Sequence, residues 1–309
     1  MKYSIITPTK NEALFIEETI KSVIAQDVLP CEWIIMDDES TDETPNIIQK
    51  YLADYPFIKY IKLTSFRKEY KNRGGRVAAI INYADTLRTE PVDIIAKIDA
   101  DINFDNRFFA NMLSEFEKDP KLGVASGHMV ENGIPEEIEE RTSGRGASLV
   151  IRYEVYQQIG KFVESKTRGE DDMAYISARS FGWNTQTFDY YFNHLKPIGS
   201  RHSSFRNFYE TGYYKGSIPY WFPFFIGTVA RDMLKKPYFI GGFIIFCSYC
   251  LSNFIAKYRP FPSFSSKYLR MEQKKKLRRM LGFGGCAVNV IQLTAFESFF
   301  EFEELLLFI

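Results

Sequence analysis

The sequence predicts an α/β fold, a mostly parallel twisted sheet flanked by helices. Through residue 130, short apolar runs alternate with segments whose apolar residues recur near a 3.6-residue period, the pattern of successive β-α-β units. Acidic clusters stand where two of those runs end, at Asp37-Asp38 and at Asp99-Ala100-Asp101, and open α/β sheets take their ligands at the carboxyl ends of strands. With 309 residues, 45% of them apolar, the chain has enough hydrophobic side chains for one large core or two modest ones.

Lys2 to Thr7 reads as the first strand, stopped by Pro8 and followed by the polar loop Thr9-Lys10-Asn11-Glu12. Leu14, Ile16, Ile20, Val23 and Ile24 recur at helical spacing, and Pro30 ends that segment before the strand Glu32 to Met36. Thr44 is placed to cap the next helix with Pro45 as its first residue, and Phe57 to Leu63 closes this unit as a strand. Beyond the basic loop Arg67 to Arg76, Val77 to Leu87 reads as a helix with a small, Ala-rich face, and Val92 to Ile98 as a buried strand. A helix from Asn106 to Phe116 and a strand from Leu122 to Val130 continue the alternation. Gly144-Arg145-Gly146 leads through Ala147 to Ile151 into a helix Glu154 to Ile159, which Gly160 ends. Glu170-Asp171-Asp172 then opens the helix Met173 to Phe181, where acidic residues suit the helix dipole. Tyr190 to Asn193 reads as a late strand. No G-x-G-x-x-G follows the first strand and no G-x-x-x-x-G-K-[ST] occurs, so neither a dinucleotide fold nor a P-loop is supported.

The formal net charge is zero, so no global field draws the chain to nucleic acid, and none is expected as a partner. Four cysteines are too few and too scattered for a disulfide framework. Cys247 and Cys250 lie in the apolar run Phe239 to Ile255 and are expected to be buried thiols in a reduced compartment. Met1-Lys2 runs straight into the first strand, too short a lead for a secretory signal, and predicts a cytoplasmic catalytic part. Aromatic residues crowd the sequence after Asp189. There Ile218 to Ala230 is too short to cross a bilayer, whereas Tyr238 to Ala256 is just long enough. Lys235-Lys236 stand before that run, and Lys257 through Lys274-Lys275-Lys276 to Arg278-Arg279 after it. A single crossing would carry one basic group outward, against the positive-inside rule. In-plane or re-entrant helices seated by aromatics, with the basic run facing anionic lipid, are expected in preference to a buried helix pair. The chain thus divides into residues 1–210, a membrane-associated helical extension over 211–280, and a tail over 281–309 with no assigned role.

Two carboxylates one residue apart hold a divalent cation through hard oxygen ligands, and such a cation binds a diphosphate in turn. Acid-x-acid pairs are frequent in a chain with 39 acidic residues; a position at a strand end, in register with other acidic motifs, is what makes Asp99-Ala100-Asp101 a metal and nucleotide candidate.

The order of motifs Pro8-Thr9-Lys10-Asn11-Glu12, Asp37-Asp38-Glu39-Ser40-Thr41-Asp42, Asp99-Ala100-Asp101 and Gly169-Glu170-Asp171 resembles the family 2 glycosyltransferases of GT-A fold, over about residues 1–200. Beyond them the chain is similar to a membrane-associated prokaryotic subgroup. The resemblance implies that Asp37 hydrogen-bonds the base of a nucleotide sugar in a pocket lined by Pro8, Thr9 and Glu12. It implies that Asp101 binds Mn²⁺ or Mg²⁺ while Asp99 reaches the ribose or the metal's waters, with Ala100 between them. Asp171 is implied as the base of an inverting transfer, oriented by Glu170, with Asp172 the competing choice. His194 is a candidate third metal ligand, and Arg76, in the loop that also holds Lys71 and Arg73, a candidate phosphate contact; Arg201 and Arg206 are candidate clamps on the diphosphate, against the default of solvated surface arginines. His128 is expected in the core, and Asp38 and Asp42 in loop and capping roles. The implied acceptor is a hydroxyl of a lipid-linked or cell-surface glycan, and the implied location the cytoplasmic face of the cell membrane. Two rivals remain, a nucleotidyltransferase using Lys10 on a triphosphate and a nucleotide-sugar-binding membrane protein without turnover.

Overall fold

A computed structural model describes residues 1–66, 73–138, 140–165, 167–196, 204–218, 220–234, 238–255 and 261–280. The strands are β1 (Tyr3–Thr9), β2 (Glu32–Asp37), β3 (Ile58–Lys62), β4 (Ile94–Ile98), β5 (Ile102–Phe104), β6 (Leu122–Glu131), β7 (Ile134–Pro135), β8 (Ser148–Arg152) and β9 (Asn184–His194). They form one sheet in the order β3-β2-β1-β4-β8-β6-β9-β5, with β7 on β6. The first four run parallel. From β8 onward the pairing turns mixed: β8 is antiparallel to both β4 and β6, β9 is parallel to β6, and β5 is antiparallel to β9. The expected α/β sheet with flanking helices is present, and its parallel character belongs to the half that the alternation made legible.

Alternate residues of each central strand enter opposite cores, as the two-residue period of a strand requires. Ile5, Ile35, Ile94, Ala96 and Ile98 face one core with Ile16 and Ile20 of α1 (Ile16–Ile24), Ile48 of α2 (Thr44–Leu52) and Phe108, Phe109, Met112 and Phe116 of α4 (Phe108–Lys118). Ile6, Ile34, Met36 and Ile95 face the other, closed by α3 (Arg73–Leu87), α5 (Tyr153–Gln158) and α6 (Glu170–Ser180).

Two local expectations are corrected. Pro8 does not stop β1; the strand runs on to Thr9, and Pro8 pairs in register with Met36 of β2. Pairing with β4 ends at Ile6, so Pro8 lies where β1 is bonded on one side only, the setting in which a strand tolerates a missing N–H. Thr44 does not cap α2 but is its first residue; its Oγ1 accepts the backbone N–H of Glu12 at 2.8 Å instead, and Asp42 Oδ1 accepts the N–H of Thr44 at 3.1 Å.

The later helices are α7 (Ser204–Ser217), α8 (Phe222–Met233), α9 (Ile240–Cys250), continued by a π-helical turn Leu251–Ile255, and α10 (Ser263–Met280). Phe225 of α8 stacks on Tyr249 of α9 with ring centroids 3.8 Å apart. Ile218, Phe261 and Leu269 share a small core with Met173 and Ile176 of α6, and Glu272 holds Arg179 of α6 through bonds of 2.8 and 3.0 Å. The extension is therefore built onto the helix that carries the third acidic cluster. No helix among the described residues is long and apolar enough to cross a membrane. Cys247 is exposed and Cys250 half-buried, a correction to the expected buried pair: α9 turns Ile245, Ser248 and Tyr249 inward, and Cys247 falls off that face. The tail 281–309 lies outside the described residues.

Candidate active site

Motifs spread over 190 residues of sequence meet at the carboxyl edge of the parallel strands. The order β3-β2-β1-β4 reverses direction between β1 and β4, and such a switch point opens a crevice for ligands. Pro8 and Thr9 end β1, Asp37 ends β2, and the Asp99 to Asp101 turn follows β4. Thr9 Oγ1 is buried with no hydrogen-bond partner among the described residues, a polar atom that a ligand in the crevice could satisfy. Glu12 is buried and meets Lys196 Nζ at 3.2 Å, which joins the loop after β1 to the end of β9.

Asp37 is closed off. Its side chain is fully buried, with Oδ1 accepting the N–H of Ser40 at 2.9 Å and Oδ2 the Tyr60 hydroxyl at 2.6 Å. Each oxygen keeps a lone pair for another donor, but with no exposed surface the carboxylate meets a nucleotide base only after a neighbouring group shifts. Asp38 takes the Arg76 guanidinium, through Nε at 2.6 Å and again through Nη2, while Arg76 Nη1 donates to the Phe66 carbonyl at 2.6 Å. Asp38 therefore does more than turn a loop: it holds the first turn of α3 against β2. Asp42, expected to cap, binds the N–H groups of Thr44 and Ala13.

After β4 the two aspartates point to different neighbours. Asp99 Oδ1 accepts Lys97 Nζ at 2.6 Å, and the same ammonium donates to the Gly146 carbonyl at 2.7 Å. Burial works to lower the Lys97 pKa, but Asp99, Glu170 and Asp171 outweigh it and raise the value. The Ala100 carbonyl accepts Thr19 Oγ1 at 2.9 Å, which pins the turn to α1. Asp101 is buried, and His194 Nε2 stands 3.9 Å from its Oδ1. His194 Nδ1 lies against the Lys196 carbonyl, an acceptor that places a proton on that nitrogen and leaves Nε2 facing Asp101. Cis ligands each about 2.1 Å from an octahedral cation stand about 3.0 Å apart, so a side-chain turn of about 1 Å would be needed for Asp101 and His194 to share one divalent ion. The expected trio does not assemble: among the described residues no three His, Cys, Asp or Glu side chains are grouped to hold a metal, because Asp99 is drawn toward Lys97.

Glu170, Asp171 and Asp172 form the first turn of α6, after Gly169 in a left-handed conformation with φ +97°. Asp171 Oδ2 accepts the Gly146 N–H at 3.0 Å and Oδ1 the N–H of Asp172 at 2.9 Å. A Cβ on Gly146 would lie 2.5 Å from Asp171 Oδ2, so only glycine lets that loop approach the carboxylate. The cluster lines a pocket of about 400 Å³, shared with Arg168, Thr211, Tyr214 and Lys215; Tyr214 of α7 places its hydroxyl 3.5 Å from Asp172 Oδ2. Burial and the neighbouring Asp171 carboxylate push Glu170 up to about 7, against the pull of Lys97. Asp172 is more open to solvent, and its pKa is also raised, with the neighbouring carboxylates of Asp171 and Glu170 contributing. Crowded carboxylates of this kind hold protons near neutral pH.

Lys97, Tyr60, Gly146 and Tyr214 are site residues that the sequence reading passed over. Lys97 had a signal, a lone charge inside the apolar run Ile94 to Ile98; Tyr60 and Tyr214 had none, since only packing brings them to Asp37 and Asp172. His128 is buried in β6 as expected, between Asp189 Oδ1 at 3.1 Å and the Glu136 carbonyl at 2.6 Å. Lys71 and Arg201, and the side chain of Arg73, lie outside the described residues, while Arg206 pairs with Glu210 at 2.9 Å on α7.

Comparison with known proteins bears on the family and the fold. Residues 4–169 match the model of glycosyl transferase family 2, a stretch that ends just before the α6 carboxylates. The chain is 36% identical over 67 residues to a GalNAc(5)-diNAcBac-PP-undecaprenol beta-1,3-glucosyltransferase of Campylobacter jejuni, covering 22% of each protein. It is 29% identical over 118 residues to a poly-beta-1,6-N-acetyl-D-glucosamine synthase of Staphylococcus epidermidis, covering 38% of this chain and 26% of that one. The aligned stretches thus span about a quarter of the length of these relatives. Among solved structures, residues 1-349 of S. aureus TarS in complex with UDP-GlcNAc superpose with a TM-score of 0.56 at 15% identity, over 90% of this chain and 92% of that one. A mannosyltransferase from Pyrobaculum calidifontis in complex with GDP-Man and Mn²⁺ gives 0.54 at 16% identity, over 97% and 80%. The shared fold is that of GT-A glycosyltransferases, and with more than half of its length matched the chain belongs to glycosyl transferase family 2.

Proposed function

We propose that the protein is an inverting transferase that moves a sugar from a nucleotide diphosphate sugar to a hydroxyl on a lipid-linked or cell-surface glycan. The observation that carries this reading is the facing of two carboxylate stations: the Asp99 to Asp101 turn and the α6 cluster, both bonded to the strand of backbone at Gly146 and Ala147. Lys97 reaches the Gly146 carbonyl, Asp99 N–H donates to the Ala147 carbonyl at 2.9 Å, and Asp171 accepts the Gly146 N–H. The nucleoside lies along Pro8, Thr9, Glu12 and the Asp37-Asp38 loop, with Arg76 setting that loop and Asp99 toward the ribose. Asp101 and His194 hold a divalent cation, Mn²⁺ or Mg²⁺, which when bound supplies positive charge beside the departing diphosphate. Asp171 takes the proton of the acceptor hydroxyl, with Glu170 and Asp172 beside it in the first turn of α6. The pocket under Tyr214 receives the acceptor, which places α7 of the extension on the acceptor side.

The same extension seats the enzyme on the cytoplasmic face of the membrane as a peripheral protein. Leu234, Tyr238, Phe239, Ile240 and Phe243 stand exposed where α8 gives way to α9, Leu234 at 72% and Phe239 at 68%. An apolar and aromatic cluster of this density suits the headgroup level of a bilayer. Residues 1–210 form the donor-binding and catalytic part and 211–280 the membrane-facing part.

The test is nucleoside diphosphate release from a panel that includes UDP-GlcNAc and GDP-Man, with Mn²⁺ or EDTA and with membrane lipid extract as the source of acceptor. Cation-dependent release from one donor, lost in Asp101→Ala and Asp171→Asn, is the expected result. Pyrophosphate as the product would identify a nucleotidyltransferase, and donor binding without any product a binding protein. Sedimentation with anionic vesicles checks the membrane surface: Phe239→Ser with Phe243→Ser should leave the protein in the supernatant, and undiminished pelleting would overturn the assignment of that patch.

A further inference from the structure

We propose that Lys97 is a positioning residue that sets Asp99 and, through the loop at Gly146, the Asp171 carboxylate in one geometry, so that the donor side and the acceptor side of the site are aligned together. This rests on the reading of Asp171 as the base. Every residue of β4 is buried, and β4 lies in mid-sheet between β1 and β8, a place where an apolar side chain packs more cheaply than a cation. Along the strand, Ile94, Ala96 and Ile98 enter one core while Ile95 enters the other. Lys97 therefore shares the face of Ile95, the side on which α3 and α6 pack.

Its ammonium emerges at the end of the strand and divides its bonds between two parts of the site, Asp99 Oδ1 at 2.6 Å and the Gly146 carbonyl at 2.7 Å. Gly146 passes the restraint on, since its N–H is 3.0 Å from Asp171 Oδ2. Loss of the ammonium would loosen both ends at once: Asp99 Oδ1 would lose its 2.6 Å bond and the Gly146 carbonyl its 2.7 Å bond. A residue that only balanced charge in the core would need no contact with the Gly146 loop.

The experiment compares Lys97→Met, which keeps the length of the stem, with Gly146→Ala, which keeps the Lys97 and Asp99 side chains but drives a methyl group against Asp171 Oδ2. Both are measured for kcat with the sugar nucleotide that the wild type turns over, and for affinity toward UDP and GDP with Mn²⁺ by calorimetry, after melting curves have shown a folded protein. Misplacing a reacting group by about 1 Å costs on the order of 100-fold. Lys97→Met and Gly146→Ala are each expected to lose that factor in kcat while nucleotide affinity changes less than about fivefold, since the affected bonds lie at the reacting end. A Lys97→Met protein with wild-type kcat, or one that loses kcat and nucleotide affinity in equal proportion, would overturn the proposal. If Lys97→Met does not fold, Gly146→Ala decides: an unimpaired kcat there removes the link to Asp171. Asp171→Asn separates the two readings. Full activity in that variant overturns the base assignment itself, whereas an inactive Asp171→Asn beside a fully active Lys97→Met overturns the positioning role alone.

Discussion

Glu170→Gln tests the physical state of the carboxylate cluster. Burial and the Asp171 charge raise the Glu170 carboxyl from 4.5 to about 7. A carboxylic acid that binds its proton more tightly when folded adds stability below its unfolded value near 4.5, and that contribution is lost as pH rises through the folded value near 7. At about 1.4 kcal/mol per pH unit of difference, the loss for Glu170 reaches about 3 kcal/mol between pH 4.5 and pH 8.5. For a domain of this size that corresponds to a fall of about 6 °C in Tm, at roughly 2 °C per kcal/mol. Glutamine fills the same space without a charge, so the variant should melt close to wild type at pH 5 and several degrees higher at pH 8.5. The assay is thermal unfolding followed by circular dichroism across that range, with EDTA present so that no cation offsets the charge. A variant whose Tm follows the wild-type pH profile in parallel would refute the claim that like-charge crowding in a buried setting strains the cluster.

Three further substitutions probe the frame around the site. Gly75→Ala puts a Cβ within 1.7 Å of the Ser165 carbonyl and should cost roughly 2–4 kcal/mol in urea unfolding; an unchanged midpoint would mean that α3 and the segment before Glu170 do not pack as described. Tyr60→Phe removes the hydroxyl that donates to the buried Asp37 and should cost about 1–3 kcal/mol, with no loss expected if another donor takes its place. Phe225→Ala empties the stack on Tyr249, worth about 3–5 kcal/mol, and hydrogen exchange should quicken in α7 to α9 while β1 to β4 stay protected. Equal acceleration throughout would show that the extension and the sheet unfold as one unit.

The first half of the sheet was legible because its strands are continuous apolar runs and its helices carry a 3.6-residue stripe. Ile34, Ile35 and Met36 announce β2 as plainly as Ile16, Ile20 and Val23 announce α1. Order and direction in the second half were not, because β8, β9 and β5 pair across long stretches of sequence: Asn103 of β5 meets Asn193 of β9, a contact that no local pattern encodes. The acidic motifs could be placed because each follows a recognisable strand or opens a helix. Their internal loyalties could not. That Asp99 bonds Lys97 while Asp101 faces His194 depends on which way two side chains turn after a strand, and the aspartate spacing is the same in either case. Pro8 and Thr44 failed for a related reason, since each took a long-range partner in place of the local role its residue type favours.

β9 gives the site a ruler. It starts at Asn184, four residues past the last residue of α6, and runs 11 residues to His194, which pairs with Ile102 next to Asp101. The acceptor end and the cation end of the crevice are thus tied by one length of backbone. That tie is not uniform: its pairing with β6 slips between Leu122 and Val124 and again between Ser126 and His128, and its buried side chains pass from Thr185 and Thr187 to Phe192 on the other phase of the alternation. Irregularities of this kind absorb an inserted residue locally, whereas the last three residues, Phe192 to His194, pair evenly with β5. The slack in the reach across the crevice therefore lies in the middle of the strand, away from the end that carries the imidazole.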